Sequence, residues 1–276
     1  MLRIGRIDYV NCDPLFVGLA PGPGRELTAA VPSELNRRMR SGLLDLSAIS
    51  SIEYARGGEL YGRVPGVGIS ASGPIQSVLL LSPEPVTALE GRTVYLCTES
   101  ATTVVLLKIL MRHRFRVEPR YESWELSGGL PPGPVLIIGD PALAARATPS
   151  HGHVYDLADE WVRMTGLPMT FALVCFRREA ERQQSEEIQR LSRLFQENAR
   201  RWPEDLEAVA APAAARMRLP LPLVRAYLLG LQFRFEERHA AGLALYFRMA
   251  GELGELENAP SLAESSAADC QLTREG

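Results

Sequence analysis

The chain has 276 residues, 46% of them apolar, enough for one large domain or two lobes with cores of their own. Charged residues make up 23% and the net charge is −3, so no basic surface points to nucleic acid, and no apolar run approaches a membrane span. Met1 leads straight into a strand pattern, without the basic and apolar regions of an export signal, so the expected setting is the cytoplasm.

Residues 3–10 alternate apolar and polar side chains, the period of a strand, and end at Asn11-Cys-Asp-Pro14, where Pro14 can open a short helix to Leu19. Residues 31–40 read as a helix begun by Pro32 or Ser33 and stopped at Gly42. A buried strand over 43–49 runs into Ser50-Ser51 and a short helix over 52–55. A glycine-rich stretch follows, and 73–81 reads as a strand entered through Gln76 and Ser77. A β-type run at 94–96 breaks into Thr98, Glu99 and Ser100, then becomes a helical apolar pattern through Leu106, Leu107 and Leu110. After some short elements, 135–140 is an apolar strand ending in Gly139-Asp140, with Pro141 expected to start a helix. One more helix closes at Gly166, and a strand returns over 170–176. From Glu179 on, only helices are predicted: 179–201, 203–214, 221–229 and 234–253. This order predicts an α/β fold with largely parallel sheets, the last helices packing on an existing lobe. Residues 255–276, rich in Glu, Ser and Ala, are expected to form a disordered or loosely docked tail.

The chemistry-bearing residues narrow the field. Cys12, Cys97, Cys175 and Cys270 form no CxxC pair, which argues against structural zinc or a disulfide framework. His151-Gly-His153 lies between Pro, Ser and Gly and reads as a surface loop. Lys108 is the only lysine and falls inside a helix, so Schiff-base chemistry with pyridoxal phosphate is discounted. A strand that feeds Ser100, Thr102 and Thr103 into a helix start leaves unpaired N–H groups at the positive end of a dipole, a place for carboxylate or phosphate. The same hydroxyls also read as plain N-caps. The anion site gains weight because Asn11, Ser50-Ser51, Gln76-Ser77 and Gly139-Asp140 are further polar strand ends, and in open sheets the ligand crevice lies at such ends.

Several stretches carry a resemblance: 4–15, Val31-Pro-Ser-Glu-Leu35 with 42–54, 69–78, Thr98 to Thr103, Leu136-Ile-Ile-Gly-Asp-Pro-Ala-Leu143, Tyr155-Asp-Leu157, Trp161 and Thr165-Gly-Leu-Pro168. In combination they resemble the chorismate dehydratases of the futalosine route to menaquinone. The resemblance implies a two-lobed periplasmic-binding-protein-like (type II) α/β fold, with lobe 1 over 1–90 plus 178–254, lobe 2 over 91–177, and the C-terminal helices on lobe 1. It places Asn11 in the catalytic role and Ser50, Ser77, Ser100, Thr102 and Thr103 against substrate; Asp140 joins them as a candidate contact and a rival base, with a cap as its plain reading. Ala101 stands where a larger, often basic residue is usual, and Thr103 where serine is usual. The reaction implied is loss of water from chorismate, giving an aromatic 3-enolpyruvyl-benzoate, with no metal or redox cofactor and no nucleic-acid or membrane partner. A homodimer is the candidate assembly. Two alternatives stay open: the sister lyase that forms dihydroxynaphthoate, expected to carry a histidine base, and a non-catalytic solute-binding protein of the same fold.

Overall fold

The computed structural model describes residues 1–125, 129–147, 152–260 and 262. In chain order its strands are β1 (Leu2–Ile7), β2 (Arg25–Ala30), β3 (Leu46–Ser50), β4 (Tyr61–Ala71), β5 (Val78–Ser82), β6 (Thr93–Cys97), β7 (Arg120–Trp124), β8 (Val135–Ile138), β9 (His153–Asp156), β10 (Met169–Arg177) and β11 (Gln232–Arg234). Its α-helices are α1 (Pro32–Arg40), α2 (Ser51–Gly57), α3 (Ala101–Leu110), α4 (Gly139–Ala147), α5 (Leu157–Thr165), α6 (Arg178–Gln183), α7 (Ser185–Arg201), α8 (Leu206–Met217), α9 (Leu221–Gly230) and α10 (Glu237–Glu252).

The strands form two sheets among the described residues, in the orders β11-β4-β10-β3-β1-β2 and β7-β6-β8-β5-β9. Both are mixed, not largely parallel as expected. β1 pairs in parallel with β2 and β3, and β6 with β7 and β8. β10 runs antiparallel to β3 and β4, β11 to β4, and β5 to β8 and β9. The reversals come from long excursions: the chain leaves the first sheet after β4, builds all of the second, and returns as β10 between β3 and β4. The sheets therefore divide the chain elsewhere than at the expected lobe boundaries. β5 belongs with the second sheet and β10 with the first, so the crossings fall at 72–77 and 166–168.

Local chemistry explains the elements that frame this arrangement. Pro32 at the start of α1 supplies the helical φ, and Glu34 in the first turn pairs with Arg37 and Arg38. Asp156 ends β9 and caps α5, accepting from the N–H groups of Ala158 and Asp159, while Gly166 closes that helix at φ 71°. The glycine-rich stretch before residue 73 is the eleven-residue strand β4, which was not expected. At Gly62 a side chain would meet the Phe176 ring at 2.2 Å, so β4 needs a bare backbone where the two strands pack. A short strand, β11, also follows residue 179, against the expectation of helices alone; it adds to the free edge of β4. His153 opens β9 instead of lying in a surface loop, and His151 lies outside the described residues.

α7 lays Ile188, Leu191 and Phe195 on the first sheet; Phe195 meets Phe16 edge to face at 5.1 Å. Asn198 of the same helix donates to the Leu15 and Val17 carbonyls, 2.8 Å each, and so clamps the turn that follows β1. α10 packs on β10 but also on α3, where the Tyr246 hydroxyl donates to the Thr102 carbonyl at 3.0 Å. The first part of the expected tail is docked: Glu255 accepts from Lys108 at 2.5 Å and from Arg56, and Leu256 is buried. Residues 263–276 lie outside the described residues.

Candidate active site

β1, β3, β6 and β8 all point their carboxyl ends at one place, between the two sheets. β5 reaches the same edge with its start, because it runs antiparallel to β8. The loops at these five ends enclose a cavity of about 50 Å³, open in part to solvent. Asn11, Ser50, Ser77, Ser100, Thr103 and Gly139 line it, together with Tyr9, Phe171 and aliphatic side chains such as Ile69, Ile75 and Ile138. No Lys, Arg, His, Asp or Glu is among the described residues of its wall.

Each polar group is placed by its own element. Asn11 follows β1 in a 3-10 turn (Val10–Phe16). Its Oδ1 is buried without a hydrogen-bond partner, an acceptor left unmade at a cost of about 1–3 kcal/mol. Ser50 ends β3, held by a two-way bond: its N–H donates to Asn36 Oδ1 and its Oγ accepts from Asn36 Nδ2, both at 3.0 Å. The Ser50 hydroxyl therefore keeps its proton free to donate. Ser100 caps α3, but its Oγ takes the Thr103 N–H only at 3.5 Å, and the Thr103 hydroxyl reaches the Ser100 carbonyl at 3.4 Å. Bonds this long give way readily to a stronger acceptor. Ser77 stands at the crossing into β5, where its carbonyl accepts the Gly139 N–H at 2.8 Å. Asp156 fixes that crossing by also accepting the N–H groups of Ile75 (2.9 Å) and Gln76 (2.6 Å).

Two of the expected contacts are not in the wall. Thr102 is fully buried and faces α2: its Oγ1 accepts the Ile52 N–H at 3.2 Å. Residues 102 and 103 lie about 100° apart around a helix, so only one of the two can face the cavity. Asp140 turns away from the ligand space as well. Its Oδ1 accepts the Val10 N–H at 3.1 Å and its Oδ2 lies 3.6 Å from Arg216 Nη2. Burial pushes its carboxyl up, while the Val10 N–H and Arg216 act in the opposite direction.

Some participants were not foreseen. Tyr9 lines the cavity and its hydroxyl donates to Glu99 Oε2 at 2.5 Å, across the gap between the sheets. Burial first, then Glu99, holds that hydroxyl protonated. The Glu99 carbonyl also takes the Ser33 N–H at 2.9 Å, so the residue after β6 is joined twice to the first sheet's side, once through Tyr9 and once through α1. Gly139 has φ 67°, and a side chain there would meet the Tyr9 ring at 2.7 Å. Asn36 could have been suspected as a buried polar residue on the inner face of α1; nothing local marks Tyr9 or Arg216. Cys12, next to Asn11, is a fully buried thiol, pushed up to about 12 by burial.

A family model described as menaquinone biosynthesis matches residues 2–252. A chorismate dehydratase from Thermus thermophilus is 32% identical over 269 residues, spanning 90% of this chain and 94% of that protein. Among solved structures, a protein from Archaeoglobus fulgidus superposes with a TM-score of 0.70 at 18% identity, covering 92% of this chain and 97% of its own. The periplasmic aliphatic sulphonate binding protein of Escherichia coli gives 0.63, also at 18% identity, over 94% of this chain and 89% of its own. These likenesses identify the periplasmic-binding-protein-like fold.

Proposed function

The chain belongs to the menaquinone-biosynthesis family, and from that premise we propose that it is a hydro-lyase of the futalosine route that removes water from chorismate. The observation that carries this reading is the gathering of Asn11, Ser50, Ser77, Ser100 and Thr103 around one cavity with no Lys, Arg, His, Asp or Glu among the described residues of its wall. Chorismate brings two carboxylates. The α3 start would hold one of them through backbone N–H groups and the Ser100 and Thr103 hydroxyls, and Ser50 and Ser77 would fix the rest.

The reaction breaks a ring C–H and a ring C–O bond. Its proton needs an acceptor, and with Asp140 tied to Val10 and Arg216 the substrate's own side-chain carboxylate is the base at hand. The electron pair left behind completes the aromatic ring as hydroxide departs, and hydroxide takes up that proton to leave as water. Asn11 would steady the departing oxygen with its amide; it is not itself a useful base. The absence of histidine from the described wall favours this reaction over that of the sister lyase. A biosynthetic enzyme of this kind works in the cytoplasm.

Incubation with chorismate while the ultraviolet spectrum is followed tests the proposal. Loss of the cyclohexadiene band with rise of a benzoate is expected. An unchanged spectrum, with calorimetry reporting tight binding, would instead make the protein a solute binder.

A further inference from the structure

Behind Asn11 lies a cluster of charge that the reaction does not touch. Asp13, two residues on, pairs with Arg6 of β1 and lies 3.6 Å from Arg216 Nη1. The other nitrogen of the same guanidinium, Nη2, lies 3.6 Å from Asp140, whose second oxygen holds the Val10 N–H. The turn carrying Asn11 is thus gripped on both sides, at Val10 and at Asp13, and one arginine on α8 joins the two grips. Asp140 starts α4 on the second sheet whereas Asp13 follows β1 on the first, so Arg216 also ties the two layers at the cavity.

We propose that Arg216 is a positioning residue for Asn11, fixing its turn against the facing layer through Asp13 and Asp140. A bridging guanidinium suits this role because its two outer nitrogens reach separate carboxylates at a set spacing. Lysine, a single point charge, would hold one or the other. The groups facing the two carboxylates are Arg6 from β1, Arg216 from α8, the Tyr227 hydroxyl from α9 and the Tyr9 hydroxyl beside Asp140. Burial pushes both carboxyls up, and Arg216 opposes that in each case.

The inference rests on the dehydratase reading only for its kinetic readout. The test compares Arg216→Met and Arg216→Lys with the unaltered protein by chorismate turnover, and by the side-chain amide NMR signals of Asn11, assigned through their loss in Asn11→Ala. Arg216 is about half exposed, so neither variant opens a core cavity. For Arg216→Met, kcat should fall about tenfold to 10²-fold with KM little changed, as for a misplaced catalytic group. The acid limb of the kcat profile should move to higher pH, since both carboxylates lose the charge that keeps them ionised. The Asn11 amide signals should shift or broaden, and lysine should restore part of each effect. Unchanged Asn11 signals with an unmoved acid limb would overturn the proposal, even if activity fell along with the folded fraction. Should the unaltered protein leave chorismate untouched, the dehydratase reading fails alone, and the amide signals decide the role of Arg216.

Discussion

Asn11 and Ser100 differ in what their loss should do. Asn11 Oδ1 is buried with no partner of its own, so this acceptor is held ready for a donor that arrives with the ligand, such as the substrate hydroxyl. Asn11→Ala should lower kcat about 10²–10³-fold, the usual loss for a group that meets charge developing in the transition state. The urea midpoint should not fall and should rise if anything, because the variant removes a buried acceptor that has no partner and breaks no hydrogen bond of that oxygen. Ser100 binds its own helix only loosely, at 3.5 Å, and its hydroxyl is available to a carboxylate before and during reaction. Ser100→Ala should therefore raise KM by about tenfold or more, the worth of one bond to a charged group, with kcat nearly kept. A pure kcat loss would show that Ser100 acts only in the transition state. At this level the small polar residues at the strand ends were readable as a group, but their facing was not. Thr102 and Thr103 are alike as letters, and only the packing of α2 and α10 against α3 turns Thr102 inward.

The strongest single joint between elements is Asp156. One carboxylate ends β9, caps α5 and holds the 72–77 crossing through four N–H groups. Asp156→Ala should cost about 2–4 kcal/mol, a lost cap together with N–H groups stranded at the crossing. Denaturant titration measures this loss, and a shift under 1 kcal/mol would deny the joint its importance. Strongly patterned elements such as β1, α1, β3, α3 and β10 were legible from their periodicity. β4 was not, because its glycines and Pro65 spell a loop. The strand persists where Gly62 admits Phe176 and where bulges absorb the irregular register with β10. β2 was missed for a different reason. It is an edge strand whose burial alternates only partly, so it leaves a weak pattern. β11 owes its existence to a partner: three residues become a strand only because β4 offers an open edge.

At the scale of the whole molecule, three carboxyls among the described residues are pushed up by burial: Asp13, Asp140 and Asp156. A raised folded value means that the native state binds these protons more tightly than the unfolded chain does. Their contribution favours folding at low pH and is lost as pH rises from the ordinary value near 3.8 through the raised values. Replacing Asp156 by Asn removes one such group. The stability of the unaltered protein relative to Asp156→Asn should then decline as pH climbs through that window, and level off above it; a gap that widens instead would mean that folding lowers the Asp156 carboxyl. The neutral cavity wall has a consequence for the encounter between enzyme and substrate. A chain of net charge −3 that meets a doubly negative acid without a cation among the described residues of the wall repels its guest from a distance, and grips it only once amide and hydroxyl dipoles come within reach. Adding salt, which shortens the reach of that repulsion from about 30 Å at 0.01 M to about 8 Å at 0.15 M, should speed capture at low substrate, where a site built on arginines would be slowed.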